Sequence, residues 1–417
     1  MIVTELELTN FRAYDSAKFT FKPGINLIAG VNGAGKSTIL DAIRILVSRA
    51  SREILKNREA IIEIGVRDIR RGYAFTHLAI EFGMPTEEMK TVYQYEGQIN
   101  REDFIPSKSE GDVRNEGTTL ENAFDFVTPK PLFRAPGCQP LCIFFSPHRS
   151  LLTHEVSTSS AKNAAFAQAL GERRFNLQQV ADWWIAQEHQ AQTNTKYKRR
   201  LEALNFAVQT FMPTFVKVGP KKEGKISDLE IWKLDSPHTR CNRLTGRDLS
   251  DGERGILALV LEVSRRLSLA YPDTNNPNLE GSACVLIDEI DLHLHPQWQR
   301  DVMAWLARTF PNCQFIATTH SPQIIGEVEA ERVHMLGKEP LDQTLGMDSA
   351  WILRNDMDTS DRSKRFQLAL REVEDRINAK SPDEALKLIE RIEQEIGPFD
   401  KLQALRTKAE LMLRLRR

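Results

Sequence analysis

The stretch from Ile25 to Ser37 constrains this chain more than any other part of it. A short apolar run, Ile25-Asn26-Leu27-Ile28-Ala29, has the character of a buried strand. It leads into Gly30-Val31-Asn32-Gly33-Ala34-Gly35-Lys36-Ser37. From Thr38 to Ser48 the apolar residues Ile39, Ile43 and Leu46 then recur at helical spacing. The octet satisfies the pattern GxxxxGK[ST] in full, in the strand–loop–helix setting the pattern requires. Its glycines let successive N–H groups turn inward around phosphate oxygens, and the following helix start adds positive potential. Lys36 is the expected partner of the β- and γ-phosphates and Ser37 the expected Mg²⁺ ligand. Gly30, Asn32, Gly33, Ala34, Gly35, Lys36, Ser37 and Thr38 are the expected phosphate-binding residues.

Four further segments carry chemistry. Val285-Leu286-Ile287-Asp288-Glu289 is an apolar strand ending in two acids, and buried charge is costly unless it is paired or metal-bound. Asp288 is expected to hold Mg²⁺ and Glu289 to act as general base toward an attacking water. Leu249-Ser250-Asp251-Gly252-Glu253 opens a long helix, so Ser250 and Gly252 can form a second anion site at its N-terminus. Taken alone, that segment is equally an ordinary helix cap. Thr318-Thr319-His320 ends another apolar strand. Ile290-Asp291-Leu292-His293-Leu294-His295-Pro296 lies between the last two, and its histidine spacing lacks a third metal ligand.

These five segments occur in the order of an ABC-type ATPase: P-loop, signature, Walker B, D-loop, switch histidine. Asp251 departs from the signature pattern, replacing the first glycine of LSGGQ or LSGGE. The opening Leu8-Thr9-Asn10-Phe11-Arg12-Ala13-Tyr14 resembles that of the RecF/SMC-like and OLD-like members. Motif resemblance covers roughly residues 1–50 and 245–340. It implies an α/β fold: an ABC-type P-loop ATPase head, a mixed sheet flanked by helices, with a helical insertion and a C-terminal helical appendage. It also implies ATP and Mg²⁺ as cofactors, catalysis by Glu289, His320 and Lys36, and head-to-head dimers. In such dimers Ser250 and Gly252 would serve the partner's nucleotide. Arg12 and Tyr14 are expected near the nucleotide. Transporter-type members have a Mg²⁺-sensing glutamine after a middle strand; here Leu141–Phe145 is followed by Ser146-Pro147-His148-Arg149, so Arg149 or His148 stands in that location.

The domain reading is an N-terminal ATPase lobe at 1–150, with a polar loop or insertion at 97–137, then a mainly helical insertion at 151–227. A C-terminal ATPase lobe follows at 228–359 and a helical appendage at 360–417. Asp15-Ser16 reads as the turn between the first two strands, and Lys217–Lys225 as a basic turn region. In the appendage Phe366, Leu370, Val373 and Ile377 keep a helical stripe, and Ser381-Pro382-Asp383-Glu384 is a strong helix start.

Composition narrows the function classes. Formal net charge is −1, which argues against affinity for nucleic acid over the whole surface but not against a local basic patch. Candidate DNA contacts are Lys196–Arg200 and Lys217–Lys225, which read more simply as solvated charge. No apolar run approaches the roughly 20 residues of a membrane span, the N-terminus lacks signal-peptide character, and the five cysteines show no metal spacing. The expectation is a cytoplasmic protein with no membrane partner.

The chain lacks nuclease chemistry and long coiled-coil arms. Its plan is similar to the PtuA ATPases of Septu and retron-linked systems and to the AriA ATPase of PARIS. That resemblance implies a sensor and regulatory ATPase in bacterial anti-phage defence, partnered with a separately encoded effector nuclease or toxin. The alternatives are a RecF-like repair ATPase that binds DNA and a scaffold that binds ATP with little turnover.

Overall fold

The computed structural model describes residues 1–55, 61–83, 92–104, 123–127, 140–150, 165–166, 168–171, 177–223, 226–235, 240–339, 342–357, 364–397 and 400–415. They form two compact units, Met1–Asp348 and Ser349–Arg417.

In the first unit, β1 (Ile2–Phe11), β2 (Tyr14–Thr20), β4 (Phe75–Gly83), β5 (Val92–Asn100) and β6 (Phe124–Phe126) form an antiparallel sheet, ordered β2-β1-β4-β5-β6. A second sheet is parallel. It orders β13 (Val333–Met335), β3 (Ile25–Ala29), β12 (Gln314–Thr319), β11 (Cys284–Ile287) and β7 (Cys142–Phe145) as β13-β3-β12-β11-β7. The α/β class is as expected, with antiparallel and parallel strands sorted into separate sheets. A parallel sheet needs cover on both faces, which is why β3, β11 and β12 are near-continuous apolar runs.

The helix Lys36–Leu55 shares a core with both sheets. Its buried Ile39, Leu40, Ile43, Leu46 and Val47 belong to one cluster with Leu6, Leu8, Leu78 and Ile80 of the antiparallel sheet. Ile28, Phe144, Leu286 and Ile316 of the parallel sheet complete it. Apolar residues around so much of the helix are what a helix sandwiched between layers requires. The helix Asp251–Ala270 is buried along most of its length, from Gly252 to Ala270.

A third sheet, ordered β10-β9-β8, is built from β8 (Phe215–Glu223), β9 (Ile226–Leu234) and β10 (Cys241–Thr245). Helices Leu177–Ala191 and Thr195–Phe211 pack on each other and against it. The basic stretch from Lys217 is therefore an edge strand and not a turn. Phe215 and Val218 are buried, Lys217 Nζ sits 4.9 Å from the Trp232 ring centroid, and lysines suit an exposed sheet edge. The first hairpin also differs from its sequence reading. Phe11 pairs with Tyr14, so the turn is Arg12-Ala13, with Asn10 at φ 53° and Arg12 at φ 46°. Asp15 lies within β2 and pairs with Arg70 at 2.7 Å. Residues 97–100 complete β5, and most of the remainder of 97–137 lies outside the described residues.

The second unit contains the helices Ser349–Asn355, Lys364–Asn378, Pro382–Ile396 and Asp400–Leu415. Leu370, Val373, Ile377, Ala385, Ile389, Ile392, Leu402 and Ala409 form its own core. The expected stripe is that core's first helix. Among the described residues, no helix is long and apolar enough to cross a membrane.

Candidate functional site

The C-terminal ends of β3, β12 and β11, three neighbours in the parallel sheet, converge on one place. In open α/β sheets this end is where ligands bind. The glycine-rich turn after β3 places Gly30, Gly33 and Gly35 at φ 150°, 80° and 94°, a region open to glycine and costly for other residues. Asn32, Gly33 and Ser37 are exposed, while Ala34 and Thr38 are half-buried. The helix begins at Lys36 with no acid in its first turn, leaving the positive end of its dipole uncompensated. Tyr14 braces this turn: its hydroxyl donates to the Gly35 carbonyl at 3.2 Å. Arg12 bonds instead to Asp41 of the helix at 2.6 Å and to Asp68 at 2.7 Å.

Lys36 is only 6% exposed. Its ammonium donates to the carbonyls of Gly30 and Val31, both at 3.0 Å, and lies 3.5 Å from Nδ1 of His320. No carboxylate forms an ion pair with it among the described residues. Burial lowers its pKa, against the opposing pull of Asp288, Glu289 and Asp291. A buried ammonium held by neutral acceptors, beside a bare helix start, fits a polyanion.

Asp288 is 7% exposed. One carboxylate oxygen accepts from the Thr318 hydroxyl at 2.5 Å and the Ser37 hydroxyl at 3.2 Å. It too forms no ion pair among the described residues. A buried carboxylate whose hydrogen-bond donors among the described residues are hydroxyls fits a hard cation. No group of three His, Cys, Asp or Glu side chains capable of holding a metal occurs among the described residues. That donor set fits Mg²⁺, which keeps several waters and shares phosphate oxygens in place of a full protein cage.

Glu289 stands in the left-handed region at φ 49°, uncommon for a side-chain-bearing residue and frequent at functional sites. Its N–H donates to Thr318 Oγ1 at 2.7 Å. On the other side, buried Arg149 donates to the main-chain carbonyls of Asp288 at 2.8 Å, Glu289 at 2.9 Å and Ile290 at 3.1 Å. Burial pushes the Arg149 pKa down to about 10, opposed by Asp291, Asp288 and Glu289. Asp291 accepts from the Thr319 hydroxyl at 2.7 Å and the His320 N–H at 3.2 Å, tying this turn to the end of β12. Burial first and Lys36 second hold the His320 pKa below its ordinary value.

Ser250 and Gly252 both have work within their own chain. Ser250 caps the helix Asp251–Ala270: its hydroxyl accepts from the Glu253 N–H, and the Glu253 carboxylate accepts from the Ser250 N–H, a reciprocal capping box. Gly252 lies against the backbone of His293, where an added Cβ would stand 2.3 Å from the carbonyl oxygen. His295 caps the helix Pro296–Thr309 through Nδ1, which accepts from the Gln297 N–H at 3.3 Å. Of the candidate DNA contacts, Lys196 reaches Asp273 at 3.2 Å, Lys198 reaches Glu202 at 3.8 Å and Arg200 donates to Gln187 at 3.2 Å.

The sequence reading located Arg149 but assigned it no partner. It also missed the bridging part of Thr318. The threonine two residues before His320 is visible in the sequence, but its partners follow another strand.

Residues 2–339 match the family profile of the RecF/RecN/SMC N terminal domain. The chain is 26% identical over 467 aligned residues to the Retron Ec83 probable ATPase of Escherichia coli, covering 95% of this chain and 84% of that protein. It is 25% identical over 398 residues to the Retron Vc95 probable ATPase of Vibrio cholerae serotype O1 biovar El Tor, covering 80% and 73%. Against the Septu protein PtuA of Bacillus thuringiensis identity is 22% over 345 residues, covering 81% and 76%. With the profile spanning both the glycine-rich turn and the acidic strand end, this chain belongs to the RecF/RecN/SMC N-terminal domain family.

Proposed function

We propose that this protein binds and hydrolyses ATP with Mg²⁺, and that closure of two such heads around ATP regulates a separately encoded effector nuclease or toxin in bacterial anti-phage defence. One observation carries the nucleotide reading. Among the described residues, a buried ammonium with no carboxylate ion pair and a buried aspartate with no cation ion pair stand close together, linked through Ser37, at the ends of β3 and β11, which flank β12 in the parallel sheet.

The turn Gly30–Gly35 and the first-turn N–H groups cradle the phosphates. Lys36 pairs with the β- and γ-phosphates, and Ser37 with Asp288 holds Mg²⁺, which neutralises phosphate charge. Glu289 orients the attacking water and accepts its proton. His320, beside Lys36, senses the γ-phosphate. Ser250 and Gly252 complete the partner head's site, with Ser250 exposed at the start of its helix. Support for the defence role is the similarity to the two retron ATPases and to PtuA along most of each chain.

The test has two arms. Purified protein is expected to release phosphate from Mg·ATP. Glu289→Gln should lose turnover by about 100-fold or more while still binding ATP and trapping a dimer seen by light scattering. ATP binding without phosphate release, even with DNA and the neighbouring gene's product present, would establish a scaffold instead. In the second arm the protein is purified from its native operon. A co-purifying nuclease or toxin supports the defence role; absence of any second protein, together with ATP-dependent duplex binding of steep salt dependence, would replace it with DNA repair.

A further inference from the structure

Three consecutive main-chain carbonyls, those of Asp288, Glu289 and Ile290, converge on one guanidinium. Consecutive carbonyls of a regular strand alternate in direction, so this convergence requires the chain to leave the β conformation immediately after Ile287. The φ of 49° at Glu289 is that departure. Groups from outside the turn hold it. Thr318 Oγ1 accepts the Glu289 N–H, and the Arg149 fork takes the carbonyls. The Glu289 peptide is thus gripped on both sides, by the end of β12 and by the segment following β7.

A left-handed residue with a Cβ is disfavoured by its own local sterics and persists only when its surroundings over-determine it. Arginine suits this role, because its planar head presents five N–H donors in a rigid fork and stays charged. A lysine would bring charge without the fork. A glutamine amide would bring two donors and no charge.

We propose that Arg149 is a positioning residue for hydrolysis: by spanning the carbonyls of Asp288, Glu289 and Ile290 it sets the backbone from which Glu289 reaches the attacking water. The bonds of Arg149 go to main-chain carbonyls, so it acts through Glu289. The proposal rests on the proposed ATPase activity and deepens it.

The experiment compares wild type, Arg149→Lys and Arg149→Ala by steady-state ATP hydrolysis, ATP affinity and circular dichroism. Both variants are expected to lose kcat by about 100-fold, the scale of a misplaced catalytic group, with ATP affinity unchanged within about twofold. Millimolar guanidinium ion should restore part of the lost turnover to Arg149→Ala, whose cavity can admit it, and none to Arg149→Lys. A kcat for Arg149→Lys within about threefold of wild type would overturn the proposal. So would a parallel loss of ATP affinity. If Arg149→Ala does not fold, Arg149→Lys decides; if neither folds, the residue is structural and the proposal fails. A wild-type protein that binds ATP without hydrolysing it would instead overturn the underlying ATPase reading, so the two failures are distinct.

Discussion

The hydroxyl of Thr318 donates to the carboxylate of Asp288 across 2.5 Å, joining the ends of two neighbouring parallel strands. The same oxygen accepts the Glu289 N–H. Thr318 is fully buried, so Thr318→Val keeps the volume and removes both bonds. An unsatisfied buried N–H and a carboxylate left with Ser37 as its remaining hydroxyl donor together should cost about 2–4 kcal/mol. Urea unfolding measures that loss, and a change below about 1 kcal/mol would show that water replaces the hydroxyl.

Gly252→Ala sets two effects against each other. Alanine gains about 1 kcal/mol of helix propensity over glycine. Its Cβ, however, would stand 2.3 Å from a backbone oxygen of His293, and overpacking against backbone costs about 1–3 kcal/mol or more. The clash should win, giving a net destabilisation in urea unfolding without nucleotide. A neutral or stabilising result would show that the 291–295 turn yields freely.

Ser250 separates a structural role from a functional one. Ser250→Ala should cost about 1 kcal/mol through the lost cap. Ser250→Asp keeps a capping acceptor but sets a carboxylate beside that of Glu253, to which the Ser250 hydroxyl donates at 2.9 Å, so it should cost no more than about 1 kcal/mol. If Ser250 also meets the partner's γ-phosphate, the added carboxylate should abolish ATP-driven dimerisation in light scattering. Undiminished dimerisation by Ser250→Asp would leave the residue as a cap alone.

The depressed pKa of His320 has a definite sign. Burial and Lys36 disfavour its protonated form in the folded chain. Below the ordinary value of 6.5 the unfolded chain therefore binds more protons, and stability falls as pH falls through that interval. His320→Gln removes this contribution. Its stability relative to wild type should rise on acidification from neutral pH, measured as urea midpoints across a pH series. The lowered His334 is present in both proteins and cancels. Parallel pH profiles would count against the assignment.

Local patterns carried much of the site. The glycine-rich turn, the acidic strand end, the helix start at Ser250 and the end of β12 before His320 were legible because each is a short segment whose backbone demands appear in neighbouring residues. Strands β3, β11 and β12 were legible because cover on both faces makes them apolar throughout. The strand β8 was not: its lysines resemble a solvated turn, and only pairing with β9 gives Phe215 and Val218 a core to enter. The hairpin turn was misplaced for a related reason, since Asp15 and Ser16 look like turn residues until Asp15 meets Arg70.

By itself, then, the sequence of Gly30–Ser37 determined a glycine-rich turn from strand into helix, because chain geometry there is dictated by glycines and a helix start. Only the tertiary structure decided what completes it. The parallel register sets Thr318 beside Asp288, and the segment after β7 delivers Arg149 to carbonyls 139 to 141 residues away. A carbonyl carries no side-chain signature, so nothing in the amino-acid order could name it as the partner of that arginine.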